Sequence, residues 1–139
     1  MRRHHPAAAR SWTLADYTSF DHVTVALLGD GQSEIDAILG ASGLSRRTAL
    51  VTPHFMAALA TVSATDMITT ISEAFAWRFA DTFNLVLRKP PFAETELRMT
   101  LVWSNVRTTD PMLAWFRTLV QNVAEDVYAN KRRAHQKKL

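Results

Sequence analysis

Four short apolar runs alternating with stretches of helical spacing constrain this chain more than any other feature. HVTVALL (22–28), TALV (48–51), MITTI (67–71) and NLVL (84–87) are β-branched or aliphatic and no longer than a strand. Between the first two lie GDGQ (29–32), a glycine-flanked turn, and a helix expected over 34–40, capped by Ser33 with Asp36 as its capping-box partner. PHFMAALATVSA (53–64) is alanine-rich with spaced apolars and predicts the next helix. Ser72 heads a third, 73–82, in which Phe75, Phe79 and, less regularly, Trp77 and Phe83 form an aromatic face. Such alternation gives βαβ units: the α/β class, with a mostly parallel sheet flanked by helices and right-handed crossovers. Ligands of open sheets of this kind sit beyond the carboxyl ends of the strands. That rule puts Gly29–Gly31, Thr52–Phe55 and the end of MITTIS at the functional edge.

The pattern then changes. RKPPF (88–92) interrupts regular structure, because proline removes a donor and restricts its predecessor. In ELRMTLVW, Leu97, Met99, Leu101 and Trp103 alternate with Arg98, Thr100 and Val102, a period of two that predicts a strand with one buried face. Asp110 and Pro111 follow as N-cap and first helical residue. Leu113, Phe116, Val120, Val123 and Val127 continue as an amphipathic helix to about Tyr128. No internal repeat or low-complexity segment is present.

Charge is unevenly placed. Residues 1–10 hold three arginines and 131–139 five Lys/Arg, with no acid in either stretch; residues 11–130 carry the other eight basic residues against all 13 acidic ones, a net of −5. The chain's +3 therefore belongs to its ends. A basic tail reads either as a solvated end or as a weak, sequence-independent nucleic-acid contact. Residues 1–10 are expected to be a basic extension with His4-His5 in a mobile end, and 129–139 a basic tail. The absence of cysteine excludes disulfides, thiolate metal sites and cysteine nucleophiles. No apolar run approaches the ~20 residues of a membrane span. The basic N-terminus has no apolar core of a secretory signal, so the expected location is the cytoplasm.

The junction Thr52-Pro53-His54-Phe55 carries the most chemistry. With Thr52 as N-cap and Pro53 first in the helix, the N–H groups of His54 and Phe55 fall in a first turn without intrahelical acceptors. Free N–H groups and the positive helix end suit a carboxylate, His54 could donate, and Phe55 could form an apolar wall. The alternative is that Thr52 satisfies those N–H groups and Phe55 is core. His22 reads as structural or surface, and the four tryptophans as packing residues. No G-x-S-x-G, H-E-x-x-H, P-loop or G-x-G-x-x-G motif occurs, so no enzyme, metal site or cofactor is expected.

In order, HHPAAARSWTLADYTSFDHVTVALLGDG, LVTPHFMAALATVSATDMITTIS and MTLVWSNVRTTDPMLAWFRTLV resemble the effector-binding region of LysR-type transcriptional regulators, over roughly residues 4–124. The PHF turn and the LVW…R…DP…W ending are closest to the nodulation and aromatic-degradation branch. The resemblance implies a type II periplasmic-binding-protein-like fold of two hinged subdomains, with a small effector of anionic or aromatic character between them. Residues 11–87 would be the second subdomain, and 88–128 the return crossing with the last strand and helix of the first. By the same resemblance Thr52, Pro53, His54, Phe55, Thr69 and Thr70 would line the effector cleft, with Trp103 near the returning strand. Ser72 stands where the family commonly has proline. The winged helix-turn-helix and most of the first subdomain have no counterpart in the sequence, which reads as truncated, so specific DNA binding by this chain alone is not expected. Strand 97–103 and helix 111–127, lacking their family neighbours, would offer surfaces for self-association or for docking to an intact regulator.

Overall fold

The structure is a computed structural model that describes residues 1–26, 33–93 and 99–136, with side chains described as far as Val127. The chain forms two compact units, residues 1–96 and 97–139.

The first unit is built on a three-stranded parallel sheet. β1 (Asp21–Val25) lies between β2 (Arg47–Thr52) and β3 (Ile68–Thr69), in the order β2-β1-β3. Val25 pairs with Thr52, and Val23 with Thr69, so the three strands end at one edge. α1 (Leu14–Ser19) precedes β1, α2 (Glu34–Ala41) connects β1 to β2, and α3 (Phe55–Ala64) connects β2 to β3. The two connections run across the sheet in opposite directions, β1 to β2 and then β2 back past β1 to β3, so right-handed crossovers put α2 and α3 on opposite faces. The two apolar clusters agree. Val23 packs with Ala58, Leu59 and Val62 of α3, together with Phe75 and Phe79 of α4 (Glu73–Phe79). Ile68 packs on the other face with Tyr17 and Leu39, bordered by Trp12, Ile35 and Phe92. The period-two alternation of a strand sorts these residues, since neighbours in sequence point to opposite faces.

Local signals fix several helix ends. Ser33 and Asp36 make the expected reciprocal capping box at α2. Its far end closes in a Schellman turn: Gly43 N–H donates to the Gly40 carbonyl and Leu44 N–H to that of Leu39, with Gly43 at φ +69°. A Cβ at Gly43 would meet nothing within 4 Å, so the cost of a side chain there is conformational alone. Gly43→Ala is expected to destabilise by about 1 kcal/mol, with Gly43→Asn recovering part of it, both measured by urea unfolding. α1 has the same kind of box, Thr13 with Asp16, in a segment for which no helix was expected.

The residues expected to be a mobile basic extension are packed. His5 and Ala7 are buried, and Arg2 forms an antiparallel bridge with Leu85. The His5 Nε2–H donates to the Asp66 carbonyl at 3.0 Å, while its Nδ1 accepts from the Ala7 N–H. Arg2 reaches the Asp66 carboxylate at 2.7 Å. Arg88 donates to the Ala8 and Arg10 carbonyls, tying the return segment to the same stretch. The extension is ordered because its backbone completes hydrogen bonds that 84–86 would otherwise lack.

Other expectations shift. NLVL is a single bridge at Leu85 rather than a strand, its one ladder partner being the chain's own start. β3 covers two residues instead of five, and α4 stops at Phe79 rather than 82. β1 ends at Val25; Leu27, Leu28 and the GDGQ turn lie outside the described residues. Trp12 is a packing residue, but Trp77, Trp103 and Trp115 are exposed.

In the second unit, Met99–Ser104 forms no ladder among the described residues and is not part of a strand, against the strand expected over 97–103. A 3-10 turn (Asn105–Arg107) leads to α5 (Pro111–Gln136), where Asp110 Oδ1 accepts from the N–H groups of Met112 and Leu113, the expected N-cap. The helix passes Tyr128 and takes in most of the expected tail. No Gly or Pro stops it.

Candidate functional site

Two of the segments singled out by sequence, Thr52–Phe55 after β2 and Thr69-Thr70 at the end of β3, meet at the carboxyl edge of the sheet beside Ala26 of the β1 end, while the third, Gly29–Gly31, lies outside the described residues. The ladder continues by one bond, from the Ala26 N–H to the Thr52 carbonyl at 3.1 Å.

The junction differs in detail from its sequence reading. α3 begins at Phe55 with His54 as N-cap, not at Pro53 with Thr52 as N-cap. Buried Thr52 uses its hydroxyl to accept the His54 N–H at 3.2 Å, forming a local turn that spends two residues before the helix can start. The His54 N–H is therefore taken. The N–H groups of Phe55, Met56 and Ala57 form the first turn, where the helix supplies no acceptor. His54 contributes no side-chain cap, and its ring is exposed beside that turn. Phe55 is half-buried and packs on Phe75, with ring centroids 4.8 Å apart. The edge thus offers backbone donors, an imidazole and an apolar wall, a set suited to a small carboxylate with an apolar body.

The threonines of β3 are engaged. Thr69 Oγ1 donates to the Val23 carbonyl at 2.9 Å, and Thr70 Oγ1 lies 2.9 Å from the Tyr17 hydroxyl. Behind Thr70 a buried polar chain crosses the sheet face, and no sequence motif announced it. His22, fully buried, sets Nε2 at 2.9 Å from the Tyr17 carbonyl. A carbonyl only accepts, so Nε2 carries the proton and Nδ1 is bare. Arg46 faces that bare nitrogen at 3.5 Å. The guanidinium donates to both Asp36 oxygens, at 2.7 and 3.1 Å, and to Ser33 Oγ at 2.8 Å. The Arg46 side chain is 2% exposed. Burial, with the guanidinium alongside, lowers the His22 pKa to about 4 and keeps the ring neutral. Hydrogen bonds from Arg46 hold the Asp36 carboxyl down at about 2. Burial raises the Tyr17 hydroxyl, so it stays protonated. The chain runs from the first turn of α2 to Thr70 at the carboxyl edge of the sheet.

Trp103 lies in the second unit. Arg117 stacks over its ring at 5.1 Å and donates to the Thr108 carbonyl. Trp103, Leu101, Val106, Leu113 and Phe116 line an open groove of about 470 Å³. Among the described residues, no cluster of His, Cys, Asp or Glu could hold a metal ion, and no helix is long and apolar enough to cross a membrane.

A family model described as the LysR substrate binding domain matches residues 1–125. The HTH-type transcriptional activator NagR of Ralstonia sp. is 33% identical over 119 residues, covering 86% of this chain and 40% of that protein. NahR of Pseudomonas putida, also an HTH-type transcriptional activator, is 27% identical over 90% of this chain and 42% of its own length. The crystal structure of the regulatory domain of MexT, a transcriptional activator in Pseudomonas aeruginosa, superposes with a TM-score of 0.71 at 26% identity, covering 79% of this chain and 55% of that one. The chain spans about two-fifths of the length of these curated relatives.

Proposed function

This chain belongs to the LysR substrate-binding domain family, and from that premise we propose that it is the effector-sensing part of a LysR-type transcriptional regulator, with its ligand contacts centred on Thr52–Phe55. Residues 11–87 are assigned to the second effector subdomain, with 1–10 packed on it. Residues 88–128 are assigned to the return crossing and the closing segment and helix of the first subdomain, and 129–139 to the basic end. The observation that carries the reading is the convergence of Thr52, His54, Phe55 and Thr70 on the carboxyl edge of a parallel sheet, with an uncapped helix turn among them. The effector is a small anion with an apolar or aromatic body, held by the first-turn N–H groups, with His54 as donor and Phe55 against its apolar part. Binding acts by shifting the population of regulator conformations, and the site of action is the cytoplasm. Pro53 orients the turn; Thr69 holds β3 to β1 and shapes the floor of the site. Trp103 belongs to the opposite side of the cleft in this reading.

The test is a titration of the chain with a panel of small aromatic and aliphatic carboxylates, benzoate included, followed by amide chemical shifts. A single edge surrounds little of a ligand, so dissociation constants near 1 mM are expected. Shifts should concentrate at Phe55–Ala57 and Thr70, and Phe55→Ala should weaken aromatic carboxylates about tenfold while sparing aliphatic ones. Saturable binding by panel members that leaves all these amides unmoved, or no binding by any of them, would sink the assignment.

A further inference from the structure

The buried polar chain behind the sheet edge has a direction, and its protons can be placed from one end. Arg46 starts it, because a guanidinium only donates. Besides Asp36, Ser33 and the bare His22 Nδ1, it hydrogen-bonds the Tyr17 hydroxyl, so that oxygen accepts. Tyr17 is 2% exposed, and among the described residues its own proton has Thr70 Oγ1 as acceptor, at 2.9 Å. Were that bond reversed, a buried phenolic proton would be left without an acceptor, which costs its full desolvation. Tyr17 therefore donates to Thr70. The Thr70 proton in turn meets no acceptor among the described residues, and its half-buried side chain stands at the carboxyl edge where Thr52–Phe55 converge.

We propose, building on the effector site assigned above, that Tyr17 and Arg46 are positioning residues of that site: they fix Thr70 as a hydrogen-bond donor, so this corner takes an oxygen lone pair of the effector. Neither residue touches the ligand. A guanidinium exposed at the edge would attract any anion and stay hydrated. Here it is buried and matched by Asp36, and it acts on the site through two hydroxyls in series. Each hydroxyl that accepts from a stronger donor becomes a better donor itself, so the positive charge sharpens the Thr70 O–H without being offered to solvent. His22 completes the arrangement from the other side. Its Nε2–H is taken by the Tyr17 carbonyl, and its Nδ1 faces Arg46 as an acceptor, which helps to aim the guanidinium.

The test is a double-mutant cycle on the full chain, with benzoate as the probe and amide chemical shifts as the readout. Thr70→Val should weaken benzoate about fivefold, the worth of one hydrogen bond, while Thr70→Ser, which keeps the hydroxyl, stays within about twofold of the parent. Tyr17→Phe keeps the ring that packs in the core, and Arg46→Met is a second variant that leaves Tyr17 intact. Each should weaken benzoate about threefold in the parent chain, and neither should have an effect in the Thr70→Val background. A residue that merely holds the fold would weaken binding in both backgrounds. Equal losses in both backgrounds, or no loss from either variant in the parent, would therefore overturn the proposal. Benzoate binding that Phe55→Ala weakens and Thr70→Val does not would overturn it alone and leave the effector site standing. Failure of every carboxylate to bind would remove the site and the positioning role together.

Discussion

Asp36→Ala is expected to destabilise the first unit by about 3–5 kcal/mol, and Arg46→Met by clearly less, about 1–2 kcal/mol. The inequality follows from which charge is left behind. The Arg46 side chain is 2% exposed, whereas that of Asp36 is 35% exposed. Removing the carboxylate strands a buried guanidinium with Ser33, His22 and the Tyr17 hydroxyl, all neutral, as its remaining partners, and an uncompensated buried charge costs several kcal/mol. It also breaks the α2 capping box, worth about 1 kcal/mol. Removing the guanidinium leaves a carboxylate that still accepts from the Ser33 N–H and hydroxyl and reaches water, while methionine fills much of the vacated volume. Urea unfolding followed by tryptophan fluorescence measures both variants. Equal losses, or a larger loss for Arg46→Met, would show that the buried end of this pair is not where its energy resides.

Acid should lower the stability of the first unit in two separable pH windows. His22 binds its proton at about pH 4 in the folded state, against 6.5 when unfolded. Between those values the unfolded chain holds more protons, so stability falls as pH drops through this window, by about 3 kcal/mol in all. Burial sets the direction: the ring is fully buried, the Tyr17 carbonyl already takes the Nε2 proton, and a second proton on Nδ1 would point at Arg46, opposed by the nearby Asp36 and Asp21. Burial lowers His5 as well, adding to the same window. Asp36 has a depressed pKa, so its contribution is present above the ordinary carboxylate value of about 3.8 and is lost as pH falls toward 2. His22→Gln keeps a donor for the Tyr17 carbonyl but cannot titrate. Its stability should therefore change less between pH 7 and 4.5 than that of the parent chain, by the His22 share. An identical pH profile for both would remove His22 from the account.

What the sequence disclosed depended on how far apart the cooperating residues lie. The α/β class and the parallel sheet followed from alternating periodicities, and the Ser33–Asp36 and Asp110-Pro111 helix starts from chemistry within three residues. The Thr13–Asp16 box was equally local and legible, but no apolar periodicity drew attention to so short a helix. The start of α3 was misplaced by two residues because two hydrogen-bonding uses of Thr52 compete, and the sequence does not rank them. The polar chain from Ser33 through Arg46, His22 and Tyr17 to Thr70 joins residues up to 53 apart, and no spacing rule reaches that far. The same holds for the first ten residues. Their positive charge marked them as solvated, while the pairing that orders them is with residues some 80 positions on.

That last pairing has a mechanical consequence. The Met1 ammonium donates to the Val86 carbonyl, and the Val86 N–H donates back to Met1, so the first and last threads of the sheet unit lie side by side. The unit is a loop drawn shut at its neck. Tension or torque carried by the backbone into residues 1–86 arrives at one point and does not stretch across the core. Pulling from that neck would peel the hydrogen bonds of 1–3 and 84–86 one after another, like a zip, whereas pulling across β1 and β3 would shear them together. A device that must swing as a rigid piece while keeping its interior intact is best held in this way.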